Sequence, residues 1–266
     1  MHIISVTDDK FWQGTAALFQ SVEENSQLTN IRYSLIYDHL SNDNKAKLRS
    51  AFPQIELIDY SALLNPKSLP TERVSPLVRA RLKKLSIFAL DSEDDCLYLD
   101  SDILCLGSLK PLRNFCHFSA CLNFGRTAFT SIKDRPMFNS GVMIFRPSRL
   151  LFDSITAFMK DFDFPPGYAD QMFLNEFFYS HANEACVHII GQEYNFLTSN
   201  KRYNRSAWSH FSKSGIRLLH YTNVKPWLLS QESWNRRMKE FFTNRLWYSQ
   251  EINMWRSYFE SFENRL

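Results

Sequence analysis

The chain has 266 residues, of which 44% are hydrophobic, so it can bury the core of one large domain. Its 31 Lys and Arg residues nearly balance its 28 Asp and Glu residues, and a charge this even argues against a nucleic-acid partner. No apolar run approaches the ~20 residues of a membrane-spanning helix, and no secretory leader precedes the first strand-like run. The five cysteines lie mostly in apolar runs, as reduced cysteines do. We therefore expect a protein of the reducing cytoplasm.

The amino-terminal part of the chain alternates between strand-like and helix-like patterns. The predicted elements are, in order, a strand at 2–7, a helix at 11–26, a strand at 32–38, a helix at 41–52, a strand at 55–60, a helix at 75–90 and a strand at 94–100. Ser41 opens the second helix with a side chain that caps helix N-termini well. Alternation at this spacing predicts an α/β fold with an open, mostly parallel sheet, in which ligands bind at the carboxyl ends of the strands.

The remainder of the chain adds apolar segments, two further helices and an aromatic tail. Apolar segments stand at 120–125, 137–147, 186–197 and 216–227, and helical spacing at 150–162 and 169–180. The final stretch, residues 231–266, interleaves aromatic and charged residues, which predicts one or two amphipathic helices. Two interpretations of this tail remain open: it holds the protein at a membrane surface, or it packs its aromatic side chains on the core or on a second subunit.

Two carboxylates one residue apart, Asp100 and Asp102, directly follow an apolar strand. Carboxylates are rarely buried unless they are paired or bound to a cation. A pair at this spacing can chelate a hard divalent cation, which in turn attracts phosphates. Asp8 also follows a predicted strand, so we expect it in the same crevice. The alternative for an isolated Asp-x-Asp triplet is a role in a turn or a helix cap.

Two later segments contain residues suited to the same site. His220 follows an apolar run and offers an imidazole to Mn²⁺ or a similar ion, and Lys225 suits a diphosphate as a point charge. Asn139 and Gly141 precede an apolar strand, where the amide can bond hydroxyl groups and the glycine permits a ligand to approach closely. Taken singly, an ordinary histidine and a tight turn explain these segments as well.

The helix predicted at 169–180 opens with Asp170 and Gln171, and capping alone would explain the aspartate. Together, however, five segments in this order resemble glycosyltransferase family 8 over about residues 1–228. They are SVTDDKFWQGTAALFQSV, LYLDSDILCLGSLKPL, FNSGVMIF, DQMFLN and HYTNVKPW. Five motifs in order are far more specific than any one of them.

The resemblance implies a role for each matching residue. The implied donor-site residues are Thr7, Asp8, Lys84, Asp100, Ser101, Asn139, Gly141 and Lys225. The implied metal ligands are Asp100, Asp102 and His220, and the implied catalytic residues are Asp170 and Gln171. Thr7 and Asp8 would face the uridine, Asn139 the donor sugar, and Lys225 the diphosphate. Lys84 is included because it lies sixteen residues before Asp100, the family's spacing for a basic residue that contacts the donor.

The resemblance also implies a fold and a reaction. The fold is of the GT-A type, an α/β architecture in which a Rossmann-like nucleotide-binding half is fused to a mixed-sheet acceptor half. We therefore expect a catalytic domain at 1–228 and a helical tail at 229–266. The reaction is a retaining transfer of a hexose from a UDP-sugar, with Mn²⁺ or Mg²⁺, to a saccharide or lipid-linked saccharide in cell-surface polysaccharide or lipopolysaccharide assembly. The tail would provide peripheral attachment to the inner face of the cytoplasmic membrane, or self-association.

The segment with the implied catalytic residues departs from the family pattern at its third position. Many members have Asp-Gln-Asp where this chain has Asp170-Gln171-Met172, so one candidate for a covalent nucleophile is missing from the sequence. We therefore expect displacement on the front face of the sugar, with the leaving phosphate accepting the proton and Asp170 or Gln171 orienting the substrates. Two alternatives stay open: a catalytically degenerate sugar-nucleotide-binding protein, and a haloacid-dehalogenase-type phosphatase, whose nucleophile also follows an apolar strand in an Asp-x-Asp context.

Overall fold

The structure, a computed structural model, describes residues 1–63, 75–115, 118–124, 131–132, 135–165, 169–180, 187–222, 224–229 and 246–266. All the site residues named from the sequence fall inside these ranges. The first part of the aromatic tail, at 230–245, lies outside the described residues.

In the part of the chain that the structure describes, the strands form one large sheet and two small ones. They are β1 (His2–Thr7), β2 (Arg32–Tyr37), β3 (Ile55–Asp59), β4 (Cys96–Leu99), β5 (Ile103–Cys105), β6 (Phe118–Leu122), β7 (Ser131–Ile132), β8 (Arg135–Pro136), β9 (Phe138–Phe145), β10 (Val187–Ile190), β11 (Phe196–Leu197) and β12 (Leu218–His220). The large sheet has the order β10-β6-β9-β4-β1-β2-β3. β1, β2, β3 and β4 run parallel, whereas β9 is antiparallel to both neighbours. The predicted parallel α/β sheet is therefore confirmed for the amino-terminal half, and the other half is mixed.

Helices cover the sheet on both faces. Among the described residues, the α-helices are α1 (Trp12–Asn25), α2 (Asn42–Ala51), α3 (Tyr60–Leu63), α4 (Pro76–Leu82), α5 (Arg149–Asp161), α6 (Asp170–Ser180), α7 (Asn200–Tyr203), α8 (Arg205–Ser214) and α9 (Leu246–Glu263), with 3₁₀ helices at Lys83–Ala89, Lys110–Asn114, Gln192–Tyr194 and Pro226–Leu228. Ser41 caps α2 as predicted, because its hydroxyl accepts a hydrogen bond from the backbone N–H of Asn44 at 3.3 Å.

One predicted helix is an α-helix in its first half and a 3₁₀ helix in its second half. The segment at 75–90 is α-helical only over Pro76–Leu82 and continues as a 3₁₀ helix over Lys83–Ala89. Four consecutive residues of the second part, 85–88, are buried. Burial on every side means that packing, rather than an amphipathic stripe, sets the local conformation there.

Successive residues of the central strands supply two separate cores. Ile3 contributes to the core under α1, α2 and α9, and Ile4 to the core under the 3₁₀ helix Lys83–Ala89, α5 and α6. All eight residues of β9 are buried. A sheet covered on both faces leaves its strand ends as the natural place for a ligand.

A small three-stranded sheet, in the order β11-β12-β5, joins distant parts of the chain. β12 runs antiparallel to β5, with His220 opposite Ile103. Because Ile103 directly follows Asp102, this register brings His220 to the turn that contains the two carboxylates.

The described part of the aromatic tail packs on the core. Phe262 of α9 is fully buried and stacks on Phe52, with ring centroids 5.9 Å apart. The amide of Asn25 in α1 donates a hydrogen bond to the hydroxyl of Tyr258 at 2.8 Å. Of the two interpretations of the tail, packing on the core is the one that α9 shows. Within the described ranges, no helix is both long and apolar enough to cross a membrane.

Candidate active site

Asp100, Ser101 and Asp102 form the turn between β4 and β5, at the carboxyl end of the central parallel strands. The backbone N–H of Asp100 donates to the carbonyl of Gly141 in β9 at 2.9 Å, and the phenol of Tyr98 donates to Oδ1 of Asp100 at 2.6 Å. The side chains of Asp100 and Asp102 are only 21% and 13% exposed. Two carboxylates held this close together and largely out of water require positive partners.

The imidazole of His220 completes a cluster with these carboxylates. One ligand atom from each of Asp100, Asp102 and His220 lies within 4.8 Å of the others. His220 Nε2 is 3.2 Å from Oδ1 of Asp102 and 3.9 Å from Oδ2 of Asp100. Carboxylate oxygens suit Mg²⁺ and Mn²⁺, and an imidazole shifts the preference towards a transition metal. The donor set therefore fits the divalent metal that the family resemblance implies.

Two lysines pair with the acidic groups. Lys84 Nζ lies 2.9 Å from Oδ1 of Asp100 and 2.8 Å from Oδ2 of Asp170, and Lys225 forms an ion pair with Asp102. Burial alone would lower the pKa of Lys84, but the two carboxylates outweigh it and raise the pKa above its usual value. Burial would likewise raise the pKa of Asp102, but the adjacent imidazole and Lys225 hold that pKa well below its usual range. Lys84 and Asp102 are therefore charged at neutral pH.

The start of β9 meets the start of α6 across the cavity. The hydroxyl of Ser140 donates to Oδ2 of Asp170 at 2.9 Å, and its backbone N–H donates to Oε1 of Gln171 at 3.4 Å. Burial would raise the pKa of Asp170, but Lys84 and the Ser140 hydroxyl lower it. Asp170 is therefore a carboxylate that can only accept hydrogen bonds.

Side-chain amides lie behind His220. The backbone N–H of Gly141 donates to Oδ1 of Asn139 at 2.9 Å, Nδ2 of Asn195 donates to the same oxygen at 2.8 Å, and Oδ1 of Asn195 lies 2.9 Å from Nδ1 of His220. Nδ2 of Asn139 donates to Oδ1 of Asn123 at 3.0 Å. Gly141 leaves room for the imidazole, because a Cβ there would lie 2.5 Å from Cε1 of His220. The ring is therefore held from both sides.

Two adjoining cavities contain the predicted residues. The first, of about 500 Å³, is lined by Arg81, Lys84, Asp100, Asp102, Asn139, Ser140, Ala169, Asp170, Gln171, Met172, His220, Thr222 and Lys225. The second, of about 550 Å³, shares Arg81, Lys84, Asp100 and Asp102 with the first and is also lined by Thr7, Asp8, Tyr37, Asp38 and Ser101. Gly141 lies behind His220 rather than in either lining. The structure therefore brings all the predicted site residues to one region.

Thr7 and Asp8 are also engaged with the start of α1. Oδ1 of Asp8 accepts hydrogen bonds from the backbone N–H groups of Lys10 and Phe11 at 2.8 and 2.9 Å. The hydroxyl of Thr7 accepts a hydrogen bond from Thr15 at 3.0 Å. Asp8 therefore both caps the turn before α1 and lines the second cavity.

Among the residues of this region that sequence reasoning did not assign to the site are Arg81, Ser140 and Asn195. Arg81 precedes Lys84 by three residues, which places both on one side of a helix, so this signal was available. Ser140 stands between two predicted residues. Asn195 directly precedes β11, and no motif in the sequence around it indicates a role in the site. The pairing of β11 with β12 is what brings it to His220.

Comparison with known proteins identifies the family of this site. The sequence model for Glycosyl transferase family 8 matches residues 2–230. Glycogenin-1 of Caenorhabditis elegans is 25% identical over 228 residues, which cover 85% of this chain and 50% of glycogenin-1. Lipopolysaccharide 1,2-glucosyltransferase of Escherichia coli is 27% identical over 251 residues, which cover 83% of this chain and 71% of that enzyme. The chain thus spans about half the length of the first of these relatives.

A solved structure shows the same fold. The crystal structure of galactosyltransferase LgtC in complex with donor and acceptor sugar analogs superposes with a TM-score of 0.64 at 21% identity, covering 90% of this chain and 94% of that one. This likeness confirms the expected GT-A architecture, with its parallel-rich sheet and carboxyl-terminal helix. The family match includes the Asp-x-Asp turn, so the phosphatase alternative is set aside. The chain belongs to glycosyltransferase family 8.

Proposed function

We propose that this chain is a retaining glycosyltransferase that moves a hexose from a UDP-sugar to a saccharide acceptor with the help of Mn²⁺ or Mg²⁺. One observation carries the proposal. Asp100, Asp102 and His220, remote in the sequence, bring ligand atoms within 4.8 Å of one another, beside the ammonium groups of Lys84 and Lys225. A site for a divalent ion and a diphosphate needs both kinds of group, because the cation requires anionic ligands and the phosphates require cations.

The two adjoining cavities suit the two ends of the proposed donor. The uridine would occupy the cavity lined by Thr7, Asp8 and Ser101, and the hexose the cavity lined by Asn139 and Gln171. Because the cavities share the Asp-x-Asp turn, the diphosphate of a donor that spans them would lie at that turn. The metal, the phosphates and the sugar would then each meet the residues proposed for them.

The chain's own groups would stabilise the departing UDP. A bound divalent ion supplies Lewis-acid stabilisation of that leaving group. Asp100, Asp102 and His220 would hold the ion. Lys225 pairs with Asp102 in the free protein and would exchange this partner for a diphosphate oxygen, where it stabilises the negative charge that develops.

Asp170 and Gln171 are proposed to orient the donor sugar. Lys84 and Ser140 fix the carboxylate of Asp170 in its ionised form, so it accepts hydrogen bonds from sugar hydroxyls. Met172 lines the same cavity and offers no carboxylate. We therefore propose front-face displacement: the acceptor hydroxyl attacks the anomeric carbon on the side from which the phosphate departs, and its proton passes to that phosphate.

The class of acceptor and the cellular location are the least specific part of the proposal. One relative is by name a lipopolysaccharide glucosyltransferase, and we propose that this chain acts in cell-surface polysaccharide or lipopolysaccharide assembly at the inner face of the cytoplasmic membrane. Residues 1–228 would form the catalytic domain and 229–266 its tail. Because Tyr248, Trp255 and Phe262 of α9 pack on the core, a membrane contact through the tail would fall to the partly exposed Trp247 or to residues 231–245, which lie outside the described residues.

The proposal predicts slow hydrolysis of at least one UDP-hexose by the purified protein with Mn²⁺. Asp102→Asn is expected to abolish this turnover because it removes a ligand charge. Asp153→Asn is a matched control, since Asp153 pairs with Arg149 on the exposed side of α5, and it is expected to leave turnover unchanged. Unchanged turnover in Asp102→Asn would contradict the metal role.

A panel of UDP-sugars, assayed by thermal shift with and without Mn²⁺, would identify the donor, because stabilisation by a ligand increases with its affinity. Metal-dependent stabilisation together with turnover supports the enzyme. Stabilisation without turnover towards any donor or acceptor would favour the degenerate sugar-nucleotide-binding alternative. If no UDP-sugar stabilised the protein in the presence of Mn²⁺, the donor proposal would fail.

A further inference from the structure

The amides behind His220 determine which nitrogen of its imidazole carries a proton. Their anchor is the backbone N–H of Gly141, which can only donate a hydrogen bond, and which lies 2.9 Å from one terminal atom of the Asn139 side chain. That atom must therefore be the carbonyl oxygen of the amide. The orientation of Asn139 thus follows from the backbone alone.

The same reasoning extends one residue further. The oxygen of Asn139 lies 2.8 Å from Asn195, so the Asn195 atom that faces it must be the NH₂ group. The other terminal atom of Asn195, its carbonyl oxygen, then faces Nδ1 of His220 at 2.9 Å. A carbonyl oxygen only accepts, so Nδ1 must carry a hydrogen. Nε2, on the other side of the ring, lies 3.2 Å from Oδ1 of Asp102. It can donate a hydrogen to that carboxylate in the metal-free protein, and without that hydrogen its lone pair is free to bind a metal.

A ring without a hydrogen on Nδ1 has a repulsive contact in either orientation of the Asn195 amide. With the proton on Nε2, the Nδ1 lone pair would face the carbonyl oxygen of Asn195. Turning the Asn195 amide over would restore a bond to His220 but would set its oxygen against the oxygen of Asn139, which Gly141 holds in place. Asn195 is only 1% exposed, so water cannot relieve either contact.

We propose that Asn195 is a positioning residue that holds His220 in the Nδ1–H tautomer and so presents the Nε2 lone pair as a metal ligand. This inference rests on the proposed function, since it takes Asp100, Asp102 and His220 as the metal site. Metal-binding histidines depend on such a partner at their second nitrogen, and its loss typically lowers metal affinity by roughly 10–100-fold.

The test compares two variants with the full-length protein. Asn195→Ala removes the acceptor for Nδ1–H, and Asn123→Ala removes another amide of the same network without touching His220. Long-range ¹H–¹⁵N correlation spectra of the metal-free protein, recorded well above the ordinary histidine pKa, report the tautomer directly. The His220 signal is assigned by its loss in His220→Ala. Pulsed EPR of added Mn²⁺ reports coupling to an imidazole nitrogen, and continuous-wave EPR reports Mn²⁺ affinity.

We expect a hydrogen on Nδ1 and imidazole coupling to Mn²⁺ in the wild type and in Asn123→Ala. Asn195→Ala should lose the fixed position of this hydrogen, weaken the coupling and lower Mn²⁺ affinity by roughly 10–100-fold. An Nδ1 without a hydrogen in the wild type would overturn the inference even if Asn195→Ala failed to fold.

The outcomes also separate this inference from the proposed function. If wild-type Mn²⁺ shows imidazole coupling and Asn195→Ala keeps it at wild-type affinity, the role of Asn195 is wrong and the metal site stands. If wild-type protein binds Mn²⁺ without any imidazole coupling that His220→Ala removes, the metal role of His220 itself is wrong, and the positioning role fails with it.

Discussion

Replacing Gly141 by alanine would test how tightly the candidate metal site is packed. The added Cβ would lie 2.5 Å from Cε1 and 2.8 Å from Nδ1 of His220. Carbon atoms pack best at roughly 3.5–4.0 Å, so the imidazole would have to move by about 1 Å. The ring is buried and bonded to Asn195 at 2.9 Å, so it cannot move without losing that partner.

A movement of this size would disturb both sides of the ring. It would stretch the contact with Asn195 to nearly 4 Å, beyond the range of a hydrogen bond. It would also exceed the tolerance of about 0.2 Å that metal–ligand distances allow. We therefore expect Gly141→Ala to lower Mn²⁺ affinity by roughly 10–100-fold, and to lower the free energy of unfolding by about 1–3 kcal/mol through overpacking.

Titration of Mn²⁺ by EPR in the presence of UDP, together with thermal unfolding followed by circular dichroism, would measure both effects. Gly107→Ala is the matched control, because its Cβ would lie 2.8 Å from Nη1 of Arg217, the end of a flexible side chain that can move aside. We expect that variant to bind Mn²⁺ as the wild type does. Wild-type Mn²⁺ affinity in Gly141→Ala would refute the argument that the backbone of β9 fixes the imidazole.

Two further predictions concern the core and the thiols. Phe262→Ala should lower the free energy of unfolding by about 3–5 kcal/mol in urea titrations, because it opens a cavity between α9 and the core. Leu150→Ala is the control, since Leu150 is 81% exposed, and it should change that free energy by less than about 0.5 kcal/mol. Equal effects would mean that α9 does not dock as described. Burial raises the pKa of Cys96 to about 11 and that of Cys105 to about 12, and raises the pKa of Cys121 as well, so iodoacetamide at neutral pH should label these three only after unfolding, and rapid labelling of the native protein, mapped by mass spectrometry, would contradict their burial.

The sequence predicted the candidate site best where local pattern and topology agree. Asp8 and Asp100 each follow a strand, and those strands, β1 and β4, are parallel neighbours. The rule that parallel strands end at one edge was therefore enough to bring these carboxylates together. The helices and strands of the amino-terminal half were predictable for the same reason, since each had its own apolar period.

Non-local pairing limited what could be predicted elsewhere. His220 reaches the carboxylates through an antiparallel pairing of two three-residue strands, β5 and β12, and nothing in their local sequence specifies that register. Imidazole chemistry made His220 a candidate for the same site, but only the family resemblance named it as a ligand of one metal with Asp100 and Asp102. No motif pointed to Asn195. Whether an asparagine is buried in a site or exposed in a loop depends on residues that are close in space but distant in the sequence. Lys84 lies within the predicted helix at 75–90, but in its 3₁₀ part, whose conformation depends on the surrounding core.

The docking of α9 on α1 has a consequence for how the chain folds. Gln20 and Glu24 of α1 bond to Ser261 and Arg265, so the contacts that finish this side of the core join residues more than 230 positions apart. Synthesis proceeds from the amino terminus, so the first β-α-β unit leaves the ribosome long before the helix that covers it. Closing so long a loop is entropically costly and slows folding. Until residues 246–263 emerge, the nascent chain must keep an uncovered apolar face of α1 from aggregating.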